Sequence, residues 1–189
     1  MAKVTLKQKQ AALEQIAREI QDCKICKKNS VGVAVPGEGS ANAEIIFLGE
    51  APGRKEAESG RPFVGPAGKI LRALIKQVGL KDEDVFITSP VKYLPKYVTP
   101  TPADVAHGRT HLFKQLDIIK PKIIVLMGRV AALAMLDRNV LIAKEHGNIV
   151  EKDGRKYLLA YHPAAQLHNP NLRGELLKDF KKLKKLIHA

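Results

Sequence analysis

The sequence predicts an α/β protein built in three layers, with helices on both faces of a central four-stranded parallel sheet. Two observations support this prediction. Four short apolar runs are typical of buried strands, and they alternate along the chain with longer segments whose apolar residues recur at helical spacing. Short apolar strands that alternate with helices indicate a parallel sheet covered on both faces.

The individual elements follow from the same pattern. The four predicted strands are residues 44–48, 85–88, 122–127 and 156–161, and the predicted helices are residues 5–21, 67–78, 103–119, 129–136 and 173–187. Apolar faces mark the first helix (Leu13, Ile16, Ala17, Ile20) and the last (Leu176, Phe180, Leu183, Ile187). The lysines of the last helix are interpreted as its solvated face, because apolar residues interrupt them.

The composition is that of one globular unit. The chain has 189 residues, of which 45% are apolar, and shows no internal repeat or linker, so residues 1–189 are predicted to form one domain that includes residues 1–21. The longest apolar runs fall short of the roughly 18–20 residues of a membrane span. The N-terminus lacks the apolar stretch of a secretory signal, and two cysteines do not indicate a disulfide framework. We therefore expect an intracellular protein with no membrane partner.

Charge points to a polyanionic partner. Lys and Arg total 32 against 19 Asp and Glu, which gives a formal net charge of +13. Such a surface attracts nucleic acid, although a lysine-rich proteome or a need for solubility would produce the same excess.

The unusual residues cluster where predicted strands end. Residues 49–53 follow the first strand, Ser89 follows the second, Gly128 the third, and residues 161–165 end the fourth. Ligands of open α/β sheets bind outside the carboxyl ends of the strands, so one site built from these loops is expected.

Common nucleotide and hydrolase motifs do not explain that site. The stretch FVGPAGKI approaches a P-loop, but Phe63 replaces its first glycine and Ile70 replaces its hydroxyl residue. The glycine fingerprint of dinucleotide folds and the serine nucleophile elbow are both absent from the sequence.

The remaining side chains suit a planar base. Phe63, on a turn flanked by proline and glycine, could stack on a base, and His162 could donate a hydrogen bond to a developing anion, beside the acids Glu50 and Glu56. With a basic surface, these features indicate an enzyme that takes a base out of DNA. Each alone has a plainer interpretation, Phe63 as a core residue and His162 as a capped turn.

Three longer stretches resemble one family. PGEGSANAEIIFLGEAPG (36–53), its continuation GEAPGRKEAESGRPFVGPAGKIL (49–71) and YHPAAQLHNP (161–170) are similar to the family 4 uracil-DNA glycosylases, and the similarity runs from about residue 22 to the C-terminus. The resemblance implies a four-stranded parallel sheet between helices, base flipping, and hydrolysis of the N-glycosidic bond of deaminated bases, chiefly uracil, in base excision repair.

The resemblance also implies roles for single residues. Phe63 would stack on the flipped uracil, and the backbone of Glu50 and Ala51 would meet a uracil carbonyl. Glu56 would contact the base or exclude larger ones, and His162 would bond the oxygen that gains charge. A water-activating Asp of other branches of the superfamily would stand at Ala51, so catalysis would depend on stabilising the leaving anion.

Further roles concern DNA and base selection. Gln166 and Leu167 would enter the DNA groove and fill the gap left by the base. Ser89 stands where the family has an Asn that binds the uracil edge. This difference keeps two alternatives open, a lesion sensor of the same fold with weak or no activity, and a glycosylase of broadened base specificity. The expected partner is uracil-containing DNA, single- or double-stranded, bound by a monomer.

The metal ligands also depart from the family. The family implies a [4Fe–4S] cluster held by four cysteines, of which Cys23 and Cys26 match the first pair. The third and fourth positions fall at Tyr93 and Gly108. The sequence analysis therefore favours no cofactor, with an altered cluster or a zinc site at Cys23 and Cys26 as the alternative. His107 and His111 lie beside the fourth position and could complete a Cys2His2 zinc site, but two histidines in a helix are usually surface residues, and they are interpreted as such.

Overall fold

The computed structural model describes residues 4–187. Its strands are β1 (Ser30–Val31), β2 (Glu38–Gly39), β3 (Ile45–Leu48), β4 (Val85–Thr88), β5 (Leu94–Pro95), β6 (Ile123–Met127), β7 (Ile149–Lys152) and β8 (Arg155–Ala160). Its α-helices are α1 (Leu6–Asp22), α2 (Lys24–Lys27), α3 (Arg54–Ser59), α4 (Pro66–Gln77), α5 (Pro102–Ile119), α6 (Arg129–Leu136), α7 (Ile142–Glu145), α8 (Pro163–His168) and α9 (Leu172–Ile187). One turn of 3₁₀ helix covers Asp82–Asp84.

The main sheet has six strands in the order β2-β4-β3-β6-β8-β7. The inner four are parallel, as predicted, while β2 and β7 pair antiparallel at the two edges. The prediction of four strands was therefore incomplete. Both additions are edge strands, and β2 is only two residues long, so its identity depends on its partner β4 rather than on a local apolar pattern. The strands β1 and β5 form a separate antiparallel pair.

Successive strand residues face opposite helical layers, which produces the three-layer architecture. Ile46 and Leu48 of β3 point to a core that also contains residues of α1, α5 and α6, whereas Ile45 and Phe47 point to a core shared with α4 and α9. All four side chains are essentially fully buried. The α/β/α fold class is thereby confirmed.

Helix ends agree with their local chemistry. Thr101 caps α5 through a reciprocal pair, in which the Asp104 N–H donates to Thr101 Oγ1 at 3.2 Å and the Thr101 N–H donates to Asp104 Oδ2 at 2.8 Å. A capping box at Thr5 begins α1. Within residues 4–187, no helix is both long and apolar enough to cross a membrane.

Candidate active site

A cavity of about 530 Å³ opens at the carboxyl ends of the parallel strands. It brings together six residues selected from the sequence, namely Glu50, Ala51, Glu56, Phe63, Ser89 and His162. The strand register explains their meeting, because Leu48 pairs with both Thr88 and Leu126, and Met127 pairs with Ala160. The carboxyl ends of the four parallel strands β3, β4, β6 and β8 therefore lie at the same level of the sheet, and the loops that follow them meet at one cavity.

Phe63 forms one wall of the cavity on a strained turn. Its φ is +52°, in the left-handed region that non-glycine residues seldom adopt and that costs about 1–2 kcal/mol. Glu56, on α3, holds the turn: Oε1 accepts from the N–H groups of Val64 and Gly65, both at 2.8 Å. Between the predicted strand 44–48 and the predicted helix 67–78, the structure thus has a short helix that was not predicted, and its Glu56 carboxylate fixes the turn that follows it.

Two glycines let the backbone approach Phe63. A Cβ on Gly49 would lie 2.7 Å from Phe63 Cζ, and a Cβ on Gly68 would overlap the Phe63 carbonyl. Any side chain at these positions would displace the phenylalanine ring or the start of α4.

Two arginines and one glutamate also support the turn that carries Phe63. The Arg72 guanidinium donates to the carbonyls of Pro62 and Phe63, both at 3.3 Å, and pairs with Glu38 at 2.6 Å. Arg61 also pairs with Glu38, at 2.8 Å. Burial opposes ionisation of Glu38, but the hydrogen bonds from both arginines outweigh it and lower the pKa of this carboxyl. The edge strand β2, which carries Glu38, thereby anchors the turn that presents Phe63.

His162 stands opposite Phe63, with 5.7 Å between the ring centroids. It caps α8, since its Nδ1 accepts from the Ala164 N–H at 3.1 Å. Burial lowers the pKa of His162 to about 4, so the ring is neutral near pH 7. A neutral ring whose Nδ1 is an acceptor carries its proton on Nε2. That nitrogen lies 3.7 Å from the position that a Cβ on Gly49 would take, just after the end of β3.

Glu50 and Ala51 continue from β3 into the cavity. Glu50 is partly buried; burial raises the pKa of its carboxyl, and the positive charge of Arg129 opposes the rise. Ala51 packs against Val91, Val105 and Ala134 and offers no carboxylate. The Ala51 side chain is a methyl group and cannot act as a general base.

Ser89 is buried at the end of β4, and its hydroxyl donates to the Val91 carbonyl at 2.7 Å. With its proton engaged, Ser89 can offer a ligand only the lone pairs of Oγ. Behind it, the buried Lys92 Nζ donates to Thr88 Oγ1 and Gln115 Oε1, both at 2.8 Å. These bonds fix the segment that carries Ser89.

Known proteins are similar to this chain over most of its length. The family model described as the Uracil DNA glycosylase superfamily matches residues 36–186. This chain belongs to the uracil-DNA glycosylase superfamily. A type-4 uracil-DNA glycosylase of Archaeoglobus fulgidus is 42% identical over 185 residues, covering 93% of each chain. The type-4 proteins of Sulfurisphaera tokodaii (41%; 93% of this chain and 84% of that one) and Thermotoga maritima (37%; 93% and 94%) are similar over comparable lengths.

Within this superfamily member, the two residues expected to contact DNA lie beside the cavity rather than in its lining. Gln166 and Leu167 are on α8, and the Leu167 side chain is 49% exposed. Sequence reasoning missed other residues that do line the cavity, among them Arg54, Leu94, Val98 and His168. Leu94 lies on β5, a strand of two residues in a stretch whose sequence showed no strand pattern.

A second cluster lies away from the cavity. Sγ of Cys23 and Cys26 and a ring nitrogen each of His107 and His111 lie within 4.8 Å of one another. Cys23 Sγ is 3.1 Å from His107 Nε2. The interpretation of both histidines as surface residues was wrong for His111, which is only 7% exposed.

Proposed function

We propose that this protein is a uracil-DNA glycosylase that hydrolyses the N-glycosidic bond of deoxyuridine in DNA, as a step of base excision repair. The observation that carries the proposal is the cavity itself, in which Phe63 faces the neutral, Nε2-protonated His162. The relatives that align over nearly the whole chain are named type-4 uracil-DNA glycosylases, which supports the same activity.

Binding begins with a flipped base. A uracil extruded from the stack would lie against the ring of Phe63, and the backbone of Glu50 and Ala51 would meet one of its carbonyls. Hydrogen bonds made by Glu56 and Arg72 hold the turn that carries Phe63 before DNA binds. The turn therefore loses little conformational entropy when the base is bound.

Bond cleavage places negative charge on the leaving base. The Nε2–H of His162 donates to the uracil oxygen on which this charge collects, and one such donor is worth about 3–4 kcal/mol of transition-state stabilisation. Water then adds to the sugar carbon, and the proton that it loses neutralises the leaving uracil anion, so the products are free uracil and an abasic sugar. Ala51 cannot activate that water, so the leaving-group side supplies most of the catalysis. The reaction uses protein groups and water, without a cofactor.

The remaining proposals concern DNA and setting. Gln166 and Leu167 enter the groove and occupy the space of the flipped base, and the net charge of +13 holds the phosphate backbone. Residues 1–189 form one domain, and the protein acts as a monomer. It works inside the cell, where the DNA is, and its substrate is single- or double-stranded DNA that contains uracil.

The test uses oligonucleotides with one uracil, opposite guanine, opposite adenine and in a single strand. We expect alkali-labile abasic sites with the wild-type protein and loss of most activity in Phe63→Ala, while the exposed variant Lys55→Ala stays unchanged. Wild-type protein that binds these substrates but leaves every uracil in place would overturn the proposal and favour the lesion sensor.

A further inference from the structure

His111 presents a buried group whose hydrogen bonds are not made. Both of its ring nitrogens are buried without a hydrogen-bond partner among the described residues. Leaving such a polar group unpaired costs free energy, so a buried imidazole without a hydrogen-bond partner calls for an explanation, and a bound metal ion is a common one.

The neighbours of His111 supply that explanation. His107 lies one helical turn earlier on α5, and the spacing of four residues puts both rings on the same face of the helix. Cys23 and Cys26 sit at the start and within α2, and the Cys26 N–H donates to Cys23 Sγ at 3.4 Å. The spacings C-x₂-C and H-x₃-H are those of structural zinc sites.

The distances suit a single ion. A tetrahedral zinc with bonds of about 2.3 Å to sulfur and about 2.0 Å to nitrogen separates its ligand atoms by about 3.3–3.8 Å. The four donor atoms here all lie within 4.8 Å of one another, so small side-chain rotations would bring them to that geometry.

The same place does not fit the [4Fe–4S] cluster that the resemblance implies. Only two cysteines are present, and the other two family positions are filled differently. The buried Tyr93 ring occupies one, and its hydroxyl donates to the Gln21 carbonyl at 3.2 Å. At the other, Gly108, a Cβ would overlap the Pro90 carbonyl, so a cysteine could not be accommodated without moving the backbone.

We propose that Cys23, Cys26, His107 and His111 bind one zinc ion in a structural, four-coordinate site that replaces the iron–sulfur cluster. With all four positions taken by protein ligands, the site keeps none open for chemistry. It ties the junction of α1 and α2 to α5, and so fastens the N-terminal helix to the core.

The test measures metal on untagged protein purified with reduced thiols. We expect about one zinc per chain, and after exchange with Co²⁺ the visible bands of a tetrahedral ion with two thiolate ligands. His111→Ala should weaken zinc binding by more than about 100-fold, since losing even an outer-shell partner of a ligand costs about 10–100-fold. The exposed His168 is not a member of the cluster, and His168→Ala serves as the matched control.

Metal content and uracil excision are separate measurements, so failure of one proposal leaves the other standing. Removing zinc from the wild-type protein should lower its melting temperature, and adding zinc back should restore it, which keeps the test informative if a variant does not fold. Brown protein with iron and acid-labile sulfide would overturn the proposal. So would reduced protein that takes up neither Zn²⁺ nor Co²⁺, or His111→Ala that binds zinc like the control.

Discussion

Glu56 provides the sharpest test of how the base-stacking wall is built. Its Oε1 accepts two backbone N–H groups from the residues just after Phe63, so Glu56→Ala leaves two amides without their acceptor. An unsatisfied amide costs about 1–3 kcal/mol, and partial access of water puts each near the lower limit. The turn also stores about 1 kcal/mol in the left-handed backbone of Phe63.

These contributions add to about 3 kcal/mol against the conformation that presents the ring. At about 1.4 kcal/mol per factor of ten, Glu56→Ala should lower kcat/KM for uracil excision by up to about 100-fold. Glu56→Gln keeps a neutral acceptor and should lose about tenfold. Affinity for undamaged duplex should hardly change in either variant, because the phosphate contacts do not depend on this turn.

The assay is single-turnover excision combined with a double-mutant cycle. If Glu56 acts by positioning Phe63, Glu56→Ala should cost little once Phe63→Ala is present. The family resemblance implies that Glu56 contacts the base itself or excludes larger bases, and that role predicts a different result. Fully additive losses, or a Glu56→Gln variant that prefers other bases while keeping its rate on uracil, would refute the positioning role.

Two further predictions concern His162 and the charged surface. His162→Ala should lose most of the single-turnover rate but little DNA affinity. In the wild-type protein, the pKa of His162 is about 4, below the ordinary value, so the ring stays neutral as the pH falls from 8 to 5. The wild-type rate should therefore show no inflection near pH 6.5. An inflection there, or equal rates for mutant and wild type, would contradict the assignment. Affinity for non-specific duplex should fall with salt with a log–log slope of about −0.9 per phosphate contacted, and a flat response would argue against DNA as the partner.

The sequence predicted the central elements well because their signals are local. The four parallel strands are buried apolar runs, and the predicted bounds of 129–136 for α6 agree with the structure while those of α5 differ by one residue. The short elements were missed for the opposite reason. β2 is a strand because it pairs with Phe86 and Ile87 of β4, and β5 is a strand because it pairs with β1. Neither has an apolar sequence pattern that would predict a strand.

The candidate site divides in the same way. The sequence predicts which loops meet, because parallel strands end at one edge, and six selected residues do line one cavity. The supports of Phe63 could not be predicted, since Arg72 and Glu38 are 34 positions apart and meet only in the folded chain. The cluster of Cys23, Cys26, His107 and His111 was underestimated because spacing alone does not show that α2 lies against α5.

Ser89 determines how closely the cavity can select uracil. Uracil offers a donor at N3 and an acceptor at O4, and an Asn amide can match both at once. The Ser89 hydroxyl is committed to the Val91 carbonyl, so it can accept from N3 but has no proton left for O4. Ser89 still disfavours cytosine, because the N3 atom of cytosine is an acceptor and faces the acceptor oxygen of Ser89. The O4 atom of uracil is left to a water molecule or to another group.

A site with one hydrogen bond where two are available should select less strongly, because a wrong base then leaves fewer buried groups unpaired. We therefore expect slow uracil excision, or excision of hypoxanthine and 5-substituted uracils as well, and Ser89→Asn should raise both the rate on uracil and the preference for it. Ser89→Ala, which removes the acceptor, should relax selection further. The measurement is excision from duplexes with uracil, hypoxanthine, xanthine, thymine or cytosine. A wild-type protein that is fast and strict for uracil, and no better as Ser89→Asn, would show that another group binds this edge of the base.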